Sequence, residues 1–87
     1  MALIGSSIAR DIWPITAHAT DPVGGNGSTK KAYGIKATTA GTVVIRTDGG
    51  SSDVTVTLAA GETLPVVVTY LRTGGTATGI FGYSLWI

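Results

Sequence analysis

Apolar and polar positions alternate most cleanly over Asp53-Val-Thr-Val-Thr-Leu58, with Val54, Val56 and Leu58 on one face and Asp53, Thr55 and Thr57 on the other. A period of two marks a half-buried strand. Similar short runs surround it. Tyr33 to Thr38 alternates, with Tyr33, Ile35 and Ala37 sharing a face, and Thr42-Val-Val-Ile-Arg-Thr47 follows a break at Thr39-Ala40-Gly41. Thr63–Leu71 comes after the turn Ala59-Ala-Gly-Glu62, and Ile80–Trp86 after the glycine-rich connection Arg72–Gly79. Five short strands separated by turn residues predict a small antiparallel sandwich or barrel spanning residues 32–87.

Residues 1–31 show no useful periodicity. They carry Trp13-Pro14, Asp21-Pro22 and Gly24-Gly-Asn-Gly-Ser-Thr29. A residue before proline is pushed toward extended geometry, and a glycine run reads as a loop. This segment is expected to be an extended N-terminal arm whose apolar side chains, Ile8, Ile12, Trp13 and Ile15, need a surface to lie on.

The fourth predicted strand is apolar on both faces. Leu64, Val66, Val68 and Tyr70 fall on one side, and Pro65, Val67, Thr69 and Leu71 on the other. A strand with one wet face should be polar there. Pro65 removes a ladder donor, which suits an edge, a bulge or a strand start. An edge-leaning strand apolar on both faces calls for a partner. The last strand repeats the theme with Tyr83-Ser-Leu-Trp-Ile87. The residues expected at interfaces are Ile12, Trp13 and Ile15 from the arm, Pro65, Val67, Tyr70, Leu71 and Arg72 from the fourth strand, and Trp86 and Ile87 at the end.

Composition strengthens the case for association. An 87-residue chain of this size buries only about 60–65% of its unfolded surface. Small domains compensate with disulfides, a metal or oligomerisation. The sequence has no cysteine and one histidine, His18, which argues against disulfides and structural zinc. Charged residues make up only 13% of the chain while 44% is apolar, against roughly 25% charged in an ordinary soluble domain. Serine, threonine and glycine could supply the missing polarity, but burial of part of the surface by partners is the favoured reading. The longest apolar run, Leu64–Val68, is far too short to cross a bilayer as a helix, and the N-terminus lacks a basic signal region. No membrane partner is expected, and the chain is expected to be made in the cytoplasm and to stay there or leave within an assembly.

Candidate chemistry is sparse. The acids Asp11, Asp21, Asp48, Asp53 and Glu62 show no spacing that pairs two of them for hydrolysis. His18 has no nucleophile elbow to serve, and no phosphate-binding glycine loop is present. Asp48-Gly-Gly-Ser-Ser-Asp53 lacks the ligand spacing of a calcium loop. The cations Arg10, Lys30, Lys31, Lys36, Arg46 and Arg72 are scattered and the net charge is +1, which argues against nucleic acid. No catalytic residue, cofactor or metal is expected. Trp13 or Trp86 could stack on a sugar, so a sugar-binding module is one alternative.

Several segments resemble a family of small virion proteins of tailed phages and gene transfer agents, which form the base of the head spike or decorate a capsid vertex. They are Asp53-Val-Thr-Val-Thr-Leu58, Ala60-Gly-Glu-Thr-Leu-Pro-Val-Val-Val-Thr69, Thr73-Gly-Gly-Thr-Ala-Thr-Gly-Ile80 and Tyr83-Ser-Leu-Trp86. The arm, with Trp13-Pro14-Ile-Thr16 and Ala19-Thr-Asp21, also fits. A second glycine in Thr73-Gly-Gly-Thr76 and the extension Gly24–Gly27 depart from the family pattern. The resemblance implies a jelly-roll-like β-sandwich on the virion exterior, forming a homo-oligomer, a pentamer, at five-fold vertices. Its partners would be the major capsid protein and a spike fibre protein. The nearest alternative is a capsid cement protein bridging capsomers as a trimer or other oligomer, and a further one is a sugar-binding module of a phage tail or spike.

Overall fold

In the computed structural model, residues 11–25 and 27–84 are described. The fold is all-β, with six antiparallel strands and, among the described residues, no helix. The strands are β1 (Ile12–Ile15), β2 (Ala32–Ala37), β3 (Gly41–Thr47), β4 (Val54–Leu58), β5 (Thr63–Arg72) and β6 (Ile80–Tyr83). They form one sheet in the order β1-β6-β2-β5-β3-β4. Five of the six match the runs read from periodicity. The sixth, β1, comes from the segment expected to be an extended arm and pairs with β6 of its own chain.

β5 is the longest strand and is divided between two neighbours. Its residues Thr63–Val68 pair with β2 and Val68–Arg72 pair with β3. Past Val68, the segment before β2 takes over on β2's side, where His18 N–H donates to the Leu71 carbonyl (2.8 Å) and Val23 N–H to the Thr69 carbonyl (3.0 Å). β5 is therefore interior from Val68 onward, which corrects the edge-leaning expectation there, while Thr63–Val66, with Pro65, has a strand on one side only.

Two irregularities reset which side chains face inward. Opposite Gly34, which sits at φ 127°, the β2–β5 register shifts by one around Pro65 and Val66. Ala32, Ile35 and Ala37 are consequently buried, and Tyr33 is not on their side as simple alternation predicts. A second shift lies at Thr69, between the pairs Arg46↔Tyr70 and Thr47↔Val68. A bulge inserts one residue and reverses the alternation beyond it. Val68 and Leu71 thus both point into the core, with Leu71 only 2% exposed. The expectation that Leu71 lies on the outer face fails for this reason.

The core draws on every strand: Ile15, Ala32, Ile35, Ala37, Val43, Ile45, Leu58, Val68, Leu71 and Ile80, with Val23 from the loop. Among the described residues no polar or charged side chain is buried with them. Side chains from both halves of the sheet meet in this one cluster, so the sheet closes over its core in the manner of a sandwich.

The glycine-rich connection 73–79 is fastened down. Thr76 and Ala77 N–H donate to the Thr42 carbonyl (2.9 and 3.0 Å), and Thr42 N–H donates to the Thr76 hydroxyl (2.9 Å). Thr78 N–H donates to the Thr39 hydroxyl (2.9 Å), and Thr38 N–H to the Gly79 carbonyl (3.0 Å). This close approach requires glycine at position 75, where a Cβ would stand 2.5 Å from the Thr42 carbonyl oxygen. Gly49 has open space around it. Gly75→Ala is expected to destabilise the fold by about 1–3 kcal/mol, the usual cost of overpacking. That lowers a thermal midpoint by at least about 4 °C in a domain of this size. Gly49→Ala should leave the midpoint nearly unchanged in the same calorimetric scan.

Candidate interaction surface

β1 is positioned by its ladder with β6, in which Ile12, Trp13, Pro14 and Ile15 face Tyr83, Gly82, Phe81 and Ile80. Period two sends Trp13 and Ile15 toward opposite pairs of Ile12 and Pro14. Ile15 is 7% exposed and belongs to the core, so it offers little to a partner. Trp13 packs half-buried against the core, with Gly82 leaving room beside its ring. The Lys30 ammonium lies 3.8 Å from the centre of that ring, a cation–π contact. Ile12 points outward and is 49% exposed.

Beside Trp13 the segment 16–25 encloses an open cavity of about 320 Å³, lined by Trp13, His18, Asp21, Val23 and Lys30 among others. His18 Nδ1 accepts from the N–H groups of Thr20 (3.1 Å) and Asp21 (2.9 Å). That fixes the turn and leaves Nε2 facing the Asp21 carboxylate at 3.6 Å. His18 is used as a turn cap. No group of three or more potential metal-binding side chains comes together among the described residues.

On β5, Pro65 is exposed at the bulge and Val67 is half-buried opposite Tyr33. Tyr70 lies under the Arg72 guanidinium, 4.3 Å from ring centre to Cζ. Arg72 also donates to the Ala19 carbonyl (2.8 Å) and reaches Asp53 Oδ1 at 3.4 Å. Arg46 meets the same oxygen at 3.2 Å, so one carboxylate joins β3, β4 and β5. A further ion pair links Lys31 to Asp48 at 2.9 Å. That hydrogen bond, reinforced by the charge of Asp48, raises the Lys31 pKa above its ordinary value. Trp86 and Ile87 lie outside the described residues.

The expected interface residues therefore divide. Ile12, Pro65, Val67, Tyr70 and Arg72 keep surface, Trp13 keeps part of it, and Ile15 and Leu71 are spent on the chain's own core. Sequence reasoning missed Val54, which is 49% exposed near the start of β4. Its alternation with Val56 and Leu58 holds, but β4 is an edge strand and only its Leu58 end reaches the buried centre. It also missed the Lys30–Trp13 contact, for which Lys30-Lys31 beside a tryptophan-bearing arm was the available signal.

No protein-family model, curated protein or solved structure matches this chain.

The different fates of Leu71 and Val54 can be measured. Leu71→Ala should cost about 2–5 kcal/mol, as for a fully buried leucine. Val54→Ala, at a half-exposed edge, should cost less than about 1 kcal/mol of the transfer free energy. Urea denaturation of both variants reads the difference directly.

Proposed function

We propose that this protein is a non-enzymatic structural component of a virion, a head spike base or vertex decoration. It works by associating side by side with copies of itself on the major capsid protein and holding a spike fibre above. The observation that carries this reading is where the described apolar surface lies. Among the described residues, the two large hydrophobic side chains left exposed, Ile12 and Val54, sit on the two outermost strands of the sheet, β1 and β4. Apolar groups at sheet edges favour neighbours beside the subunit over neighbours stacked on its faces. The low charge content and the family resemblance of residues 53–86 support the same reading.

A sugar-binding role is less well supported, because one face of Trp13 already carries the Lys30 ammonium. The polar groups around that cavity are largely engaged in holding the turn, as His18 Nδ1 is by two backbone N–H groups.

Native mass by light scattering on a sizing column, at several concentrations, tests the assembly. A stable species of five times the 8.8 kDa subunit mass supports the vertex ring, and three times that mass supports a cement protein. Co-sedimentation with purified heads, with none on bare sizing standards, is the expected sign of capsid binding. Failure to co-sediment would sink the virion assignment whatever the mass.

A further inference from the structure

Open sheet edge occurs on β1, on β4 and along Thr63–Val66 of β5, and the first and last of these are closed by their own chemistry. On β1, Ser84 N–H donates to the Asp11 carbonyl (2.9 Å). Antiparallel pairs alternate between hydrogen-bonded and not. Trp13 and Ile15 therefore bond to β6, and Ile12 and Pro14 turn their backbone groups outward. The Ile12 N–H is taken by the Asp11 carboxylate at 2.8 Å, and Pro14 has no N–H. β1 offers no free donor. Along Thr63–Val66, β5 has β2 on one side and no strand on the other, since β3 pairs only from Val68 onward. Pro65 stands exposed in this stretch. Proline at an edge discourages further pairing.

Along Val54–Leu58, β4 has no such guard, and the Glu62 carboxylate takes an N–H only past its end, at Ala59 (2.8 Å). Both backbone groups of Thr42 are bonded to the 76–77 segment, the N–H to the Thr76 hydroxyl and the carbonyl to Thr76 and Ala77. They point away from β4. Thr42↔Thr57 is thus a non-hydrogen-bonded pair, and so is Val44↔Thr55 two residues along. The N–H and C=O groups of Thr55 and Thr57 consequently face outward, beyond which the sheet has no strand. The run Val54–Leu58 contains no proline, lysine or register shift.

We propose that this edge pairs with β4 of a second copy, antiparallel about a two-fold axis at Val56. Thr55 of each copy then exchanges hydrogen bonds with Thr57 of the other. The occupant is a second copy because the outward donors and acceptors are self-complementary in this register. The other open edges described are guarded, so only β4 of that copy can answer. The same register sets the half-exposed Val54 opposite Leu58 of the second copy, covering it. It sets Asp53, already held by Arg46 and Arg72, opposite Ala59, whose N–H is taken by its own Glu62 carboxylate at 2.8 Å. The contact is isologous and gives even-numbered species. It does not rest on the virion reading.

Light scattering across a concentration series, with circular dichroism as the folding control, tests the pairing. The wild type should associate in even numbers. Thr57→Pro removes an outward N–H without touching the β3–β4 ladder, so it should keep the fold and weaken association at least about tenfold. Val56→Cys places the sole cysteine opposite itself, so oxidation should yield a covalent species of twice the 8.8 kDa subunit mass. Should Thr57→Pro not fold, the cysteine variant decides alone. A wild type that stays monomeric, association that Thr57→Pro leaves intact, or a cysteine variant that does not cross-link overturns the proposal. A five-membered species unaffected by Thr57→Pro would overturn the two-fold contact and leave the assembly reading standing. Even species dissolved by it, with no binding to heads, would do the reverse.

Discussion

The way β5 is shared sets the position of everything else. A ten-residue strand paired with β2 along one part and β3 along the other cannot remain flat and regular. Its two register shifts supply the bends, and each bend changes which side chains face inward. Val68 lies where the two pairings meet and is fully buried. From that point the sheet runs one way through β2, β6 and β1 and the other through β3 and β4. Only β3 and β4 are neighbours both along the chain and in the sheet, apart from which every ladder joins distant segments. Such a fold spends much entropy on loop closure before its long-range contacts form.

Much of the architecture was legible in the sequence, and the reasons it stopped being legible are local. Alternation over 53–58 and the turn residues between runs located β2 to β6 closely. β1 was not visible because four residues containing a proline, Ile-Trp-Pro-Ile, carry too little periodicity to stand out from an extended arm. The inward-facing set of β5 was misread because a bulge is decided by pairing partners, and nothing near Thr69 announces one. Gly34 was a better clue, since a glycine inside an alternating run often marks such a site. For the candidate surface, Ile12 and Pro65 were singled out from the sequence and are exposed. Val54 was not, because the same alternation describes a strand in the middle of a sheet and one at its edge.

The low charge content has a physical counterpart in how the few charges are used. Asp53 serves two arginines at once, and Arg72 further ties residue 19 to the sheet and covers Tyr70. These partly exposed contacts are individually worth little in water. Their common effect is positional, holding β3, β4, β5 and the 16–23 segment in mutual register. Threonine supplies much of the remaining polarity and does so through directed bonds, as in the pairing of 38–42 with 76–79. A stretch whose glycine content suggests a slack connector is thereby made a fixed part of the scaffold.

The hydrogen bond from Ser84 to Asp11 brings the two ends of the described chain together on one side of the sheet, with β4 on the opposite side. Residues 11 and 84 thus share one corner of the described sheet. Joining residue 84 to residue 11 by a short linker and reopening the chain in the 48–53 loop would therefore move the chain's break from the β1 margin of the sheet to the β4 margin.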